Sequence, residues 1–163
     1  MAFVTNGTIG TSLSAVNATQ QFELGKKVTA TDGGVYVYVQ ANGAISQYDC
    51  VAIDEDFQIV PMDNDYADDG HSVGFAQLAF ADDEYGFVAV SGSNINCSVI
   101  TGTAADAALY ADSRTSLAGQ LQSLTSLGTL LLGVVPVAAS NTSTSVTPEI
   151  IANYPKSSLG ITS

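Results

Sequence analysis

Val35-Tyr36-Val37-Tyr38-Val39-Gln40 alternates valine with tyrosine and closes on glutamine. That period of two belongs to a strand, whose successive side chains point to opposite faces. Both residue types also suit a pleated, half-buried surface. Turn signals bracket the run: Asp32-Gly33-Gly34 before it and Asn42-Gly43 after it, the dipeptides that supply positive φ in tight turns. Upstream, Val28-Thr29-Ala30-Thr31 reads as a short strand. Downstream, Cys50-Val51-Ala52-Ile53 and Phe57-Gln58-Ile59-Val60 bracket Asp54-Glu55-Asp56, a hairpin-like unit. The pattern predicts a mainly β protein built from short strands.

Further strands are expected at Ser72–Phe80, Phe87–Ser91 and Ile95–Ile100. Residues 104–112 read as either a short helix or a strand. In 115–128, Leu117, Leu121 and Leu124 have helical spacing, which Gly119, Gly128 and many Ser/Thr oppose. Leu130–Ala138 reads as a buried strand, with Pro136 marking an edge or a bulge. Residues 139–147 read as a Ser/Thr-rich linker. Thr147-Pro148-Glu149 then carries an N-cap residue, a proline at the first helical position and an acidic first turn, predicting a short C-terminal helix that Pro155 limits to about two turns. The segment at 49–54 followed by 73–76 is echoed by 106–112 followed by 132–135. Two such units suit a small barrel or paired sheets.

Residues 1–21 carry no charged side chain, and Phe3, Val4, Ile9, Leu13 and Val16 are scattered without a period. We read an extended N-terminal arm over 1–21, a β-rich domain over 22–139, and a linker, short helix and tail over 140–163. The 163 residues suit one domain with appended arms and are enough to bury a sizeable core.

Charged residues make up 12% of the chain, about half the usual share, and the balance is 16 acidic to 4 basic, a net −12. A chain of that sign repels phosphate backbones and anionic lipid, so neither nucleic acid nor a membrane is expected as a partner. The N-terminus shows no basic and apolar leader, which predicts synthesis in the cytoplasm. The longest apolar run, around Leu130–Val135, is too short to span a bilayer. Cys50 and Cys97 read as buried free thiols. The Asn-X-Ser/Thr triplets at Asn6, Asn17, Asn96 and Asn141 reflect composition.

Three patterns resemble chemistry. Gly70-His71-Ser72-Val73-Gly74 fits the G-x-S-x-G of serine hydrolases, but that motif needs a strand–turn–helix and a distant histidine, and His71 is the single histidine of the chain. Asp63-Asn64-Asp65-Tyr66-Ala67-Asp68-Asp69-Gly70 suggests a calcium loop; in either register a non-liganding residue falls on a ligand position, so a solvated turn is expected. Asp82-Asp83-Glu84-Tyr85-Gly86 reads as a hairpin turn. The two cysteines and one histidine lack the close spacing of a zinc site. No cofactor, no metal and no catalytic residue is expected. Tyr36 and Tyr38 read as one face of a strand.

Phe22-Glu23-Leu24-Gly25 opening the domain, Ser46-Gln47-Tyr48-Asp49-Cys50-Val51-Ala52-Ile53, Ser72-Val73-Gly74-Phe75-Ala76, the echoes at 104–112 and 130–138 and the uncharged arm together resemble the capsid decoration (cement) proteins of tailed bacteriophages. The resemblance covers residues 20–140. It implies a small β-tulip domain, commonly trimeric, on the outer surface of the virion's capsid, after assembly in the host cytoplasm. Its implied partners are the major capsid protein and neighbouring copies of itself, and its implied role is to stabilise the capsid lattice. The arm residues Phe3, Val4, Ile9 and Leu13 would then be the capsid-binding anchors. The segment after about 140 departs from the family pattern. A phage tail or fibre component, or an adhesin-like binding module with surface calcium, is the competing expectation, and a small hydrolase using Ser72 a third.

Overall fold

The computed structural model describes residues 12–100, 102–112, 117–123, 128–139 and 149–158. It is mainly β: the described residues form ten strands in one connected sheet and a single short α-helix. The alternating stretch is β2 (Val35–Ala41), preceded by β1 (Lys27–Thr29), with which it pairs antiparallel across the Asp32-Gly33-Gly34 turn. Asp32 Oδ1 accepts the Gly34 amide at 2.9 Å and fixes that turn. β3 (Cys50–Ile53) and β4 (Gln58–Pro61) form the expected hairpin, with Ala52 opposite Val60. The Asp54 carboxylate caps its loop by accepting the Asp56 and Gln58 amides.

β5 (Ser72–Phe75) pairs with β3, and β6 (Tyr85–Asn96) pairs with both β5 and β2. Because β4 also pairs with β2, in parallel, the route β2-β4-β3-β5-β6 returns to β2. These five strands therefore close on themselves as a small barrel. Its interior is filled by Val37, Val39, Val51, Ile53, Ile59, Val88 and Val90, with Ile45 and Phe80 closing it from the loops. Gly74 faces inward: a Cβ there would lie 3.1 Å from both Ile53 and Val88. Gly25 combines positive φ (79°) with a close approach, since any side chain would overlap the Phe57 ring.

The other four strands form a wing. β7 (Leu109–Asp112) pairs with β8 (Leu121–Gln122) and with β9 (Gly128–Pro136), and β10 (Glu149–Ser157) lies between β9 and β6. The inner face of the wing packs on the outer face of the barrel in a second core, which includes Cys50, Ala52, Val73, Phe75, Ala89, Leu109, Leu131 and Ile150. Strands β3 and β5 thus bury both faces, which is why Cys50–Ile53 reads as a continuous apolar run. The two echoed sequence segments correspond to two antiparallel pairs, β3 with β5 and β7 with β9.

Four expectations need correction. The C-terminal segment is strand, not helix: Ile150 and Ala152 are buried while Ile151 is exposed, a period of two. Thr147-Pro148-Glu149 is a local helix signal, but the open sides of β6 and β9 offer a full ladder to a β-branched pair, and tertiary pairing wins. Pro155 is tolerated because Asn153–Pro155 bulge opposite the lone Gly133, where a ladder donor is not needed. Glu149–Ser157 accordingly belongs to the sheet rather than to a tail. Second, the acidic turn holds a one-turn helix, α1 (Asn64–Asp68), capped by the Asp63 carboxylate, which accepts the Tyr66 amide at 3.1 Å. Third, β9 is not buried on both faces, and fourth, Ile95 belongs to the end of β6 rather than to a separate strand.

Candidate functional site

Six large apolar side chains are exposed among the described residues, and five of them, Leu132, Val135, Val137, Ile151 and Tyr154, lie on β9, β10 or just past β9. Scattered exposed apolar residues are ordinary, whereas a contiguous set is not. The register groups four of them on the paired strands: Ile151 lies opposite Val135, Leu132 opposite Lys156, and the Val137 amide donates to the Glu149 carbonyl at 2.9 Å, while Tyr154 falls in the bulge. Leu131, Val134, Ile150 and Ala152 occupy the alternate positions and face the second core. The two strands therefore have one face in the core and one apolar face bare.

The bulge shapes one end of this stripe. Three residues of β10 oppose Gly133, whose φ is 81° and whose missing Cβ would lie 2.9 Å from the Asn153 carbonyl oxygen. Tyr154 takes φ 46°, a conformation costly for an aromatic residue. Its ring is half exposed and lies under the Lys27 ammonium, 5.7 Å from the ring centroid.

Beside Tyr154 the barrel opens into a cavity of about 230 Å³. Its floor is Val37, Ile53 and Val90 of the barrel interior, and its rim carries Lys27, Lys156 and Tyr154. The chain has four basic residues, so half of its positive side chains stand at one opening.

The other sequence candidates are placed as follows. Ser72 is exposed and opens strand β5, so the G-x-S-x-G segment has no strand–turn–helix around it. His71 packs edge-on against Tyr66. Asp63 is spent on its cap, and Asp68 accepts from Asn64 within α1 and from the Thr129 hydroxyl, the latter tying α1 to β9. Among the described residues no three His, Cys, Asp or Glu side chains converge as metal ligands would. Tyr36 packs against the second core, while Tyr38 is buried in an aromatic cluster with Phe22, Tyr85 and Phe87, its hydroxyl accepting the Gln21 amide at 2.9 Å.

Of the arm anchors, Phe3, Val4 and Ile9 lie outside the described residues, and Leu13 is half-buried. Asn17 exchanges two backbone hydrogen bonds with Tyr85, and Val16 packs on the barrel core. The described part of the arm therefore lies along its own domain.

Cys50 and Cys97 are free and fully buried. Burial, joined by the neighbouring Cys97 and Asp49, pushes the Cys50 thiol well up, and burial with Asp49 does the same to Cys97. Both are held as thiols, poor nucleophiles in this setting. Asp49 is 7% exposed; burial raises its carboxyl above the usual range, while hydrogen bonds from Ser46 pull the other way.

The apolar stripe and the lysine rim were not anticipated from sequence. Leu130–Val135 reads as buried on both faces because it is apolar at every position but one, and nothing in a linear reading joins Lys27 to Lys156. Searches for family models, for curated proteins and for solved structures returned no match to this chain.

Proposed function

We propose that this protein is a structural component of a phage virion, binding the outer capsid surface and stabilising the lattice of the major capsid protein. The observation that carries the reading is the bare apolar face of β9 and β10, with Leu132, Val135, Val137 and Ile151 exposed on the paired strands and Tyr154 exposed at the bulge. A face of that kind gains by burial against another protein. The acidic residues, by contrast, crowd into the barrel turns at 54–56, 63–69 and 82–84, which keeps the rest of the surface from sticking to polyanions. The resemblance of residues 20–140 to capsid decoration proteins supplies the kind of partner. Residues 1–11 act as the arm that reaches a neighbouring subunit, and weak contacts repeated over a lattice add up by multivalency. Neighbouring copies meet as trimers in this reading.

Cosedimentation with expanded capsids stripped of decoration tests it. The full chain should bind saturably. A chain lacking residues 1–11 keeps the Asn17–Tyr85 pairing and should bind weakly, and Val135→Ser with Ile151→Ser should weaken binding independently. Absence of binding by the full chain to its cognate shell would overturn the reading and move the weight to a tail, fibre or adhesin-like module.

A further inference from the structure

We propose that the open end of the barrel is a binding socket for a carboxylate carried on a small apolar group. Size, lining and charge each point to that chemistry. An empty apolar cavity of roughly 150 Å³ holds benzene, while pockets for drug-sized molecules begin at roughly 300 Å³. At about 230 Å³ this socket accommodates one aromatic ring or a short alkyl chain. Val37, Ile53 and Val90 give that group a dry floor continuous with the barrel core.

The rim selects the head group. Lys27 and Lys156 come from β1 and β10, strands that are far apart in the chain, and stand at the same opening. In a protein with 16 carboxylates, neither ammonium is ion-paired to a described residue; Lys27 faces the Tyr154 ring instead. Both charges are thus available to a ligand. Asp54 also lines the socket; one oxygen of its carboxylate accepts the Asp56 and Gln58 amides, so two ammonium groups stand against one partly engaged carboxylate. Ser72, exposed at the same rim, adds a hydroxyl donor.

A single negative charge fits better than several. Lysine is a hydrated point charge without the fork that grips phosphate in two places. The net −12 of the chain also repels polyanions at long range. The strained backbone at Tyr154 holds its ring where it can cover a seated ligand, a use that gives the strain a purpose. Two sources present this chemistry: a free short-chain or aromatic acid, and the C-terminal carboxylate of a peptide ending in an apolar residue. The inference does not depend on the capsid reading.

The test is a titration of the full chain, followed by amide ¹H–¹⁵N spectra, with hexanoate, hexanamide, a pentapeptide ending in Phe with a free carboxylate, and the same peptide amidated. Hexanoate or the acid peptide should give saturable shifts at Ile53, Ser72 and Lys156 in the millimolar range, with the matching amide about tenfold weaker, a difference of ~1.4 kcal/mol. Binding by hexanoate identifies a free acid as the source, and binding by the acid peptide alone identifies a protein terminus. The Lys27→Gln/Lys156→Gln variant changes only exposed side chains and should lose the preference for the acid while the fold persists. The proposal is overturned if acid and amide bind alike, if the double variant keeps the preference, or if none of the four ligands gives a saturable shift.

Discussion

The barrel and the wing are built from the same kind of strand but solve different problems. The barrel closes, so its strands have few free edges, and β3 and β5 spend both faces on burial. The wing stays open and spends one face, leaving five large apolar side chains uncovered on the other. Charge divides the same way. Eleven acidic residues lie between Asp49 and Glu84, in and around the barrel turns, whereas Asp106, Asp112 and Glu149 are the acidic residues after Asn96. The barrel is thus self-sufficient, with a solvated rim, and the wing is a half-finished layer. Closure removes the need for a partner, and an open sheet with a bare face creates one.

Removing the strand wall common to both regions should have the largest effect. Phe75 is fully buried on β5, between barrel and wing. Phe75→Ala should cost about 3–5 kcal/mol, read from urea unfolding. If barrel and wing are one cooperative unit, two probes will give one transition; separate transitions would make the wing an independent module. Gly74→Ala acts on the barrel alone. Its new methyl would press on Ile53, Val88 and Val51 at 3.1–3.3 Å, and overpacking of this kind costs about 1–3 kcal/mol. Stabilisation by that substitution would mean the barrel interior is looser than its geometry implies.

A smaller effect, dependent on pH, is expected at Asp49. Its carboxyl is raised in the folded protein, chiefly by burial, so the folded state holds that proton more tightly than the unfolded chain does. Stability from this group is present below the ordinary carboxylate value near 4 and is lost as pH rises through the raised value. The difference between Asp49→Asn and the parent should therefore move in favour of the variant over that window and stay flat above it. Any cost of the amide itself is an offset independent of pH. A difference that does not change with pH would show that Asp49 is well solvated. The smallest effect belongs to the bare face: Val135→Ser with Ile151→Ser should change stability by no more than about 0.5 kcal/mol per site, while reducing self-association and capsid binding. A large loss of stability would mean that this face is packed in the isolated protein.

The barrel was largely legible in the sequence because its strands are local and its turns carry their own chemistry. Val35–Gln40 alternates, Asp32-Gly33-Gly34 and Asn42-Gly43 mark its ends, and the Asp54 loop announces a hairpin. The wing was not, because its key strand is specified by distant partners. Glu149–Ser157 carries a helix-start signature and two prolines nearby, yet β6 and β9 recruit it as a strand. The bare apolar face inherits the difficulty. Whether Leu132 and Val135 point in or out depends on a register set by that same late pairing, and the meeting of Lys27 with Lys156 depends on closure of the whole sheet.

The position of β10 also orders events in time. It is made after β6 and β9, yet it is the strand that joins them. Until it emerges from the ribosome, both neighbours present unpaired edges, and contacts of such long sequence separation form slowly. The polypeptide therefore passes through an interval in which the barrel can already be complete while the wing lacks the strand that joins it to β6. The bare face of β9 and β10 therefore forms last, and any binding that relies on it waits for the end of the chain's synthesis.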